Sequence, residues 1–284
     1  METNTPEHIL YTLALRYPQL TLPISDETRH SESYKNIVLR GDPPEREPEF
    51  SFCADDRLES VDTPAGRVDV ISFVRRDDFE HCIRALAHRC ENCELPPTMG
   101  ASTISGLINW EKIHRHREEY LAAGGDDWDE EFARFTSDRN NFRDTVIVLS
   151  SGYYSALPPE EAGFSEAEWL KLSYTIRKYH ELAHFVSRKL YLENREAVRD
   201  EVLADMNGII AALGHFDAAL EAKMLGFRNG EYTYGRLENY VKPEELPGAI
   251  ERVKAMLADL ARVCTGEQEP FTYLMKLEQE KTYL

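Results

Sequence analysis

The sequence predicts an α+β protein, with a small mixed α/β amino-terminal part leading into a mainly helical carboxy-terminal half. Three observations carry this. β-Branched runs, clearest at Val68–Val74 and Thr145–Leu149, lie in the first 150 residues. From Glu166 to Glu193 neither Pro nor Gly interrupts a helical pattern. Within that pattern stands His180-Glu181-Leu182-Ala183-His184, and a second helical segment follows it.

In chain order, residues 1–34 are polar, carry Pro6, Pro18 and Pro23, and predict one short helix and then irregular backbone. Ile37-Val38-Leu39 and Phe50-Ser51-Phe52 read as short strands around a Pro-rich loop from Gly41 to Pro48. Thr63-Pro64-Ala65-Gly66 is a turn, and Val68–Val74 alternates partly, as a half-buried strand does. A helix is expected from Asp77 to about Arg89, then a loop of small and hydroxyl residues from Pro96 to Gly106. His114 and His116 fall on the next helix; two apart, they face different sides and read as solvated. Asp126–Glu131 is an acidic helix start, where carboxylates favour the dipole. Thr145–Leu149 reads as a buried strand, and Ser165 with Glu168 as a capping box. Further helices are expected at 216–225, 243–263 and 267–281, with a Tyr- and Gly-rich loop at 226–240. The expected division is a mixed α/β region at 1–95, which selects substrate or completes the fold, and a metal-binding catalytic region at 96–284.

Composition bounds the rest. A chain of 284 residues can bury one large core or two small ones, and 42% apolar with 30% charged residues is ordinary for a globular protein. No stretch reaches the length of a membrane span, and residues 1–20 lack a basic segment followed by an apolar run. A cytoplasmic location is therefore expected. The formal charge of −18 argues against a nucleic-acid backbone as the main partner. Five cysteines, an odd number, point to free thiols in a reducing compartment. Cys90 and Cys93, with Cys82 and His88 nearby, invite a second structural zinc or a redox pair. The ligand set is incomplete, so buried free cysteines are the expectation. Oligomeric state is not legible.

Helical residues four apart project from nearly one face, so His180 and His184 can point ring nitrogens at one metal ion. Glu181 beside them can take a proton from metal-bound water. Ile176, Tyr179, Ala183 and Ser187 share the histidine stripe, whereas Arg177, Lys178, Arg188 and Lys189 fall mostly on another side. Beyond His184 the helix runs about 10 Å further, and Glu193-Asn194-Arg195 reads as a tight turn into an antiparallel helix. Glu201 then lies level with His184 as third ligand, and Asp205 level with His180, where it can accept a hydrogen bond from the ring. Both interleave with Val198, Val202, Met206 and Ile209, an expensive place for unpaired charge. The bland alternative makes the histidines satisfied core residues and Glu181 a surface acid pairing with Arg177 or Lys178.

These two segments resemble the active site of zincin metallopeptidases of the gluzincin branch, which combine H-E-x-x-H with E-x-x-x-D. Arg199, Glu201, Ala204, Asp205 and Gly208 also match the R-x-E-x-x-A-D-x-x-G spacing of the membrane-bound prenyl-protein-processing zinc proteases. The resemblance covers about residues 174–210, and the sixteen residues between His184 and Glu201 are fewer than in thermolysin-like enzymes. It implies a zincin-like fold and one catalytic Zn2+ per chain on His180, His184 and Glu201, with Glu181 as general base and Asp205 behind His180. It also implies peptide-bond hydrolysis of a peptide or protein substrate. Tyr232, Tyr234, Arg236 and Tyr240 are candidate helpers for the oxyanion, and equally loop-packing residues. By the same resemblance the strand Thr145–Leu149 could offer its edge to an extended peptide. No aminopeptidase signature and no inhibitory pro-segment are visible, so a narrow-specificity endopeptidase is expected. The competing class is a non-catalytic interaction protein with a structural or vestigial zinc site.

Overall fold

A computed structural model describes residues 12–44, 46–51, 53–191 and 196–280. They form two compact units, one of residues 12–61 and 68–150, the other of 62–67 and 151–280. The division falls after Ser150 rather than at residue 95, because a strand at Ala101–Ile108 and another at Arg143–Ser150 complete the sheet begun earlier in the chain. The architecture is α+β, as composition and patterning imply.

Apart from the tip of the first hairpin at 62–67, the first unit holds β1 (Arg57–Thr63), β2 (Gly66–Phe73), α1 (Arg76–Ala87), β3 (Ala101–Ile108), α2 (Trp110–Ala122), α3 (Trp128–Thr136) and β4 (Arg143–Ser150). Strand order is β1-β2-β4-β3, with β2 and β4 parallel and β3 and β4 antiparallel. Val146–Leu149 are wholly buried, which explains their unbroken apolar run: a strand covered on both faces has no solvent side to alternate with. On one face Phe79, Cys82, Ile83 and Leu86 of α1 join Ile71, Phe73, Val146 and Val148 in one core.

Several local expectations fail here, each for a physical reason. Ile37-Val38-Leu39 lies in a wide helical turn, Lys35–Leu39, preceded by a Ser31 cap; a three-residue apolar run cannot by itself distinguish strand from buried helix. Phe50 and Ser51 form no strand; Phe50 is a core anchor stacked on Phe73, and Phe52 lies outside the described residues. The loop expected from Pro96 to Gly106 is largely β3, whose small side chains hide a pairing with β4 and a bulge between Ser105 and Leu107. β4 cannot offer an edge to a peptide, since β2 and β3 flank it on both sides. His116 is half-buried rather than solvated, held by Glu131 of α3 and stacked on Phe135.

The second unit is helical: α4 (Glu166–Leu190), α5 (Ala197–Leu213), α6 (Ala218–Leu225), α7 (Leu246–Val263) and α8 (Thr272–Glu280), with a two-residue-strand hairpin at Phe227–Tyr232. The expected capping box starts α4, with Ser165 and Glu168 bonded reciprocally. The turn expected at Glu193-Asn194-Arg195 lies outside the described residues. His184 meets Glu201, His180 meets Asp205, and Ile176 meets Gly208, so α4 and α5 run antiparallel. Gly208 sets their approach: a Cβ there would stand 2.6 Å from the Ile176 carbonyl oxygen. Asn207, almost fully buried, spends its amide on the Tyr179 carbonyl and its oxygen on the Phe271 N–H, so it is satisfied. Trp169, Ile176, Ile209, Leu220 and Met224 form the apolar core beside this pair.

Candidate metal centre

His180 and His184 lie on α4 one turn apart and are both buried, with rings edge to face. Their Nε2 atoms are 3.1 Å apart. From α5, Glu201 brings Oε1 to 3.2 Å from His184 Nε2 and Oε2 to 3.5 Å from His180 Nε2. Glu201 thus meets the two histidines through different oxygens, and the three residues form a small triangle. Tetrahedral zinc with bonds of about 2.0–2.1 Å has donor–donor edges of about 3.3 Å, a value these separations bracket. It is the one potential metal-holding group among the described residues, and Cys90 and Cys93 do not form another. Cys82 and Cys90 are buried thiols and Cys93 is half-buried, so of the C-x-x-C pair only Cys90 is as buried as expected.

Asp205, fully buried, backs the triangle. Its Oδ1 lies 2.8 Å from His180 Nδ1, and its Oδ2 accepts from Arg236 Nη2 at 2.5 Å. Burial alone would raise the Asp205 carboxyl, but the Arg236 charge and the His180 hydrogen bond outweigh it and hold the group well below the usual range. For Glu201, burial is likewise opposed by His184, His180 and Arg236, leaving its carboxyl at about 2. Burial works against the His180 imidazolium, yet its bond to Asp205 raises it overall. Asp205 Oδ1 lies on the Nδ1 side of the His180 ring, so its Nε2 edge is the one that faces His184 and Glu201.

Of the four helper candidates, the structure brings two to the site. Arg236 binds Asp205 and lies 3.8 Å from Glu201, and the Tyr240 phenol interacts electrostatically with Glu201. Tyr232 instead bonds the Gly235 carbonyl and Glu238, and Tyr234 is 78% exposed. Glu181 is half-buried next to His180 and interacts electrostatically with Arg177. Arg177 itself departs from expectation: it is buried, donates to the Gly152 and Tyr153 carbonyls, and burial pulls it down to about 10.

Two participants carry no sequence signal. Tyr154, in the loop after β4, puts its hydroxyl 2.6 Å from Asp205 Oδ1 and 2.9 Å from His180 Nδ1. Glu221 of α6 is fully buried without a hydrogen-bond partner, and burial beside Asp205 raises it well above the carboxylate range. Nothing local in the sequence marks a tyrosine 26 residues before a histidine as its neighbour.

Two buried histidines and a half-buried glutamate on two antiparallel helices, backed by an aspartate, form a group that could hold a metal ion. The chain matches a family of unknown function, DUF7005, over residues 2–282, and belongs to it. Searches of the curated proteins and of the solved structures return no match. Among the described residues no helix is long and apolar enough to cross a membrane.

Proposed function

We propose that this chain is a zinc-dependent hydrolase of peptide bonds with a zincin-like, gluzincin-type centre. The observation that carries the reading is the convergence of His180, His184 and Glu201, with donor separations of 3.1–3.5 Å and Asp205 behind His180. These three residues would hold the ion. When bound, zinc acts as a Lewis acid on a carbonyl and makes water acidic enough to attack at neutral pH. Glu181, beside His180 on the same helix, accepts the proton from the attacking water and passes it to the leaving amine. Arg236 keeps Asp205 in place, and with Tyr240 it is one of the two candidates on the Asp205–Glu201 side that could assist the oxyanion. Tyr232 and Tyr234 drop out of that role.

A structural zinc would call for a fourth protein ligand and no general base. The group here has three members, which favours catalysis over a staple. The substrate is read as a peptide segment cut internally with narrow specificity.

Purified protein, prepared without chelators, should contain about one zinc per chain, and the His180→Ala, His184→Ala double variant should contain none. Glu181→Gln should keep zinc and fold but lose hydrolysis by at least 100-fold, on the order expected for a positioned base. A Glu181→Gln variant as active as wild type refutes the mechanism. Rapid cleavage of an unstructured protein such as casein refutes the narrow specificity.

A further inference from the structure

We infer that an internal water binds between Glu221 of α6 and Arg236, and that through it Glu221 is a positioning residue for the guanidinium behind the metal centre. Among the described residues six buried side-chain nitrogens and oxygens have no hydrogen-bond partner, and three of them are Glu221 Oε1, Glu221 Oε2 and Arg236 Nε. Native interiors leave few such atoms, and a bound water is a common partner for them. Glu221 is 0% exposed, so bulk solvent does not reach it.

The backbone brings the two residues together. Glu221 stands one turn before the end of α6, which closes at Gly226 with φ 108°. A Cβ at Gly226 would stand 2.5 Å from the Tyr234 carbonyl oxygen, so the end of α6 is pressed on the segment that leads into Arg236. The Gly226 carbonyl also accepts from the Thr233 N–H and hydroxyl. The short turn Arg236–Asn239 then packs on α6. From it Arg236 Nη2 donates to Asp205 Oδ2, and Glu221 feels the charges of both Asp205 and Arg236.

The kind of ligand follows from donors and acceptors. A cation does not fit, because Arg236 Nε–H is a donor on a group already positive. An anion does not fit beside two carboxyl groups. Burial, with the Asp205 charge nearby, raises Glu221 well above the carboxylate range. It is then a neutral acid with one O–H donor and one carbonyl acceptor. One water meets all three atoms. Its two lone pairs accept from Nε–H and from the acid O–H, and one of its hydrogens goes to the acid carbonyl. Three hydrogen bonds is the usual number for a buried water. The link gives a reason to keep a carboxyl where an apolar side chain would pack at less cost. It holds one edge of the guanidinium so that Nη2 stays on Asp205.

The site needs no metal, so it is tested on the full chain without zinc, and its outcome is separate from that of the hydrolase reading. A crystal structure that resolves ordered water should show density within about 2.5–3.2 Å of Arg236 Nε and of a Glu221 oxygen. In NMR spectra the Arg236 Nε–H should exchange slowly and give a cross-peak to a long-lived water. Glu221→Met should lose that cross-peak, and Glu221→Gln, which still accepts and donates, should keep it. In urea unfolding near pH 4, Glu221→Met should raise the unfolding constant at least about fivefold, because Nε–H is left unmet. Glu221→Gln should stay within about twofold of wild type. If no water is bound, Met replaces an unmet polar group and the constant should fall or hold instead. That result overturns the proposal, as does a wild-type crystal with no density at the spot or with Nε bonded directly to Glu221. Should Glu221→Met fail to fold, the wild-type density and the Glu221→Gln cross-peak decide.

Discussion

Gly208→Ala offers a sharp trial of how the two site helices are held. In an exposed helix interior this change would stabilise by about 1 kcal/mol, since glycine is the poorer helix former. Here the added Cβ would lie 2.6 Å from the Ile176 carbonyl oxygen and 3.1 Å from its Cγ2, against the 3.4 Å at which ordinary contact begins. The shortfall of about 0.8 Å involves backbone, which cannot rotate away, so α4 and α5 must part. Overpacking of this kind costs about 1–3 kcal/mol, which meets or exceeds the propensity gain and leaves a net loss of up to about 2 kcal/mol. The larger effect falls on the site. Gly208 stands just under one turn from Asp205 and two turns from Glu201, and functional constellations tolerate displacements of only about 0.5 Å. Zinc affinity should therefore drop by about tenfold or more. Urea unfolding of the apo protein and dye competition for zinc measure the two effects separately. A variant about 1 kcal/mol more stable than wild type, with unaltered zinc binding, would refute the close-packing account.

Two further substitutions test the charges behind the ligands. Arg236→Gln leaves Asp205 buried with no cation on Oδ2, and should destabilise the apo protein by about 3–5 kcal/mol in chemical denaturation. Bound zinc should recover part of that loss, because it restores positive charge nearby; a loss under about 0.5 kcal/mol would mean the pair contributes little. Glu221 gives a pH signature. Its folded value is raised by burial, so above the ordinary carboxylate range the unfolded chain has released a proton that the folded chain retains. Stability must then fall as pH rises from the unfolded value towards the folded one. Glu221→Gln should remove that part of the slope while matching wild type near pH 4, and an unchanged slope would contradict a buried, protonated Glu221.

The centre was legible where its geometry is helical arithmetic. His180, His184, Glu201 and Asp205 could be placed level with one another because rise and periodicity are fixed, and Gly208 marks where the helices touch. Small residues also misled: in β3 the run Ala101-Ser102-Thr103 carries no alternation, because a strand whose partner supplies the bulk needs little of its own. Arg177 looked like surface charge on periodicity alone, yet loop carbonyls and an aromatic face make a buried place for it. Tyr154, Arg236 and Tyr240 reach the site from loops, where no period relates sequence distance to direction. The contrast has a functional sense. The helices fix which atoms can hold an ion, whereas the loops supply the hydroxyl and the cation that surround Asp205. A change confined to Gly208 should therefore disturb where the donors stand, and one confined to Arg236 should disturb the charge behind them.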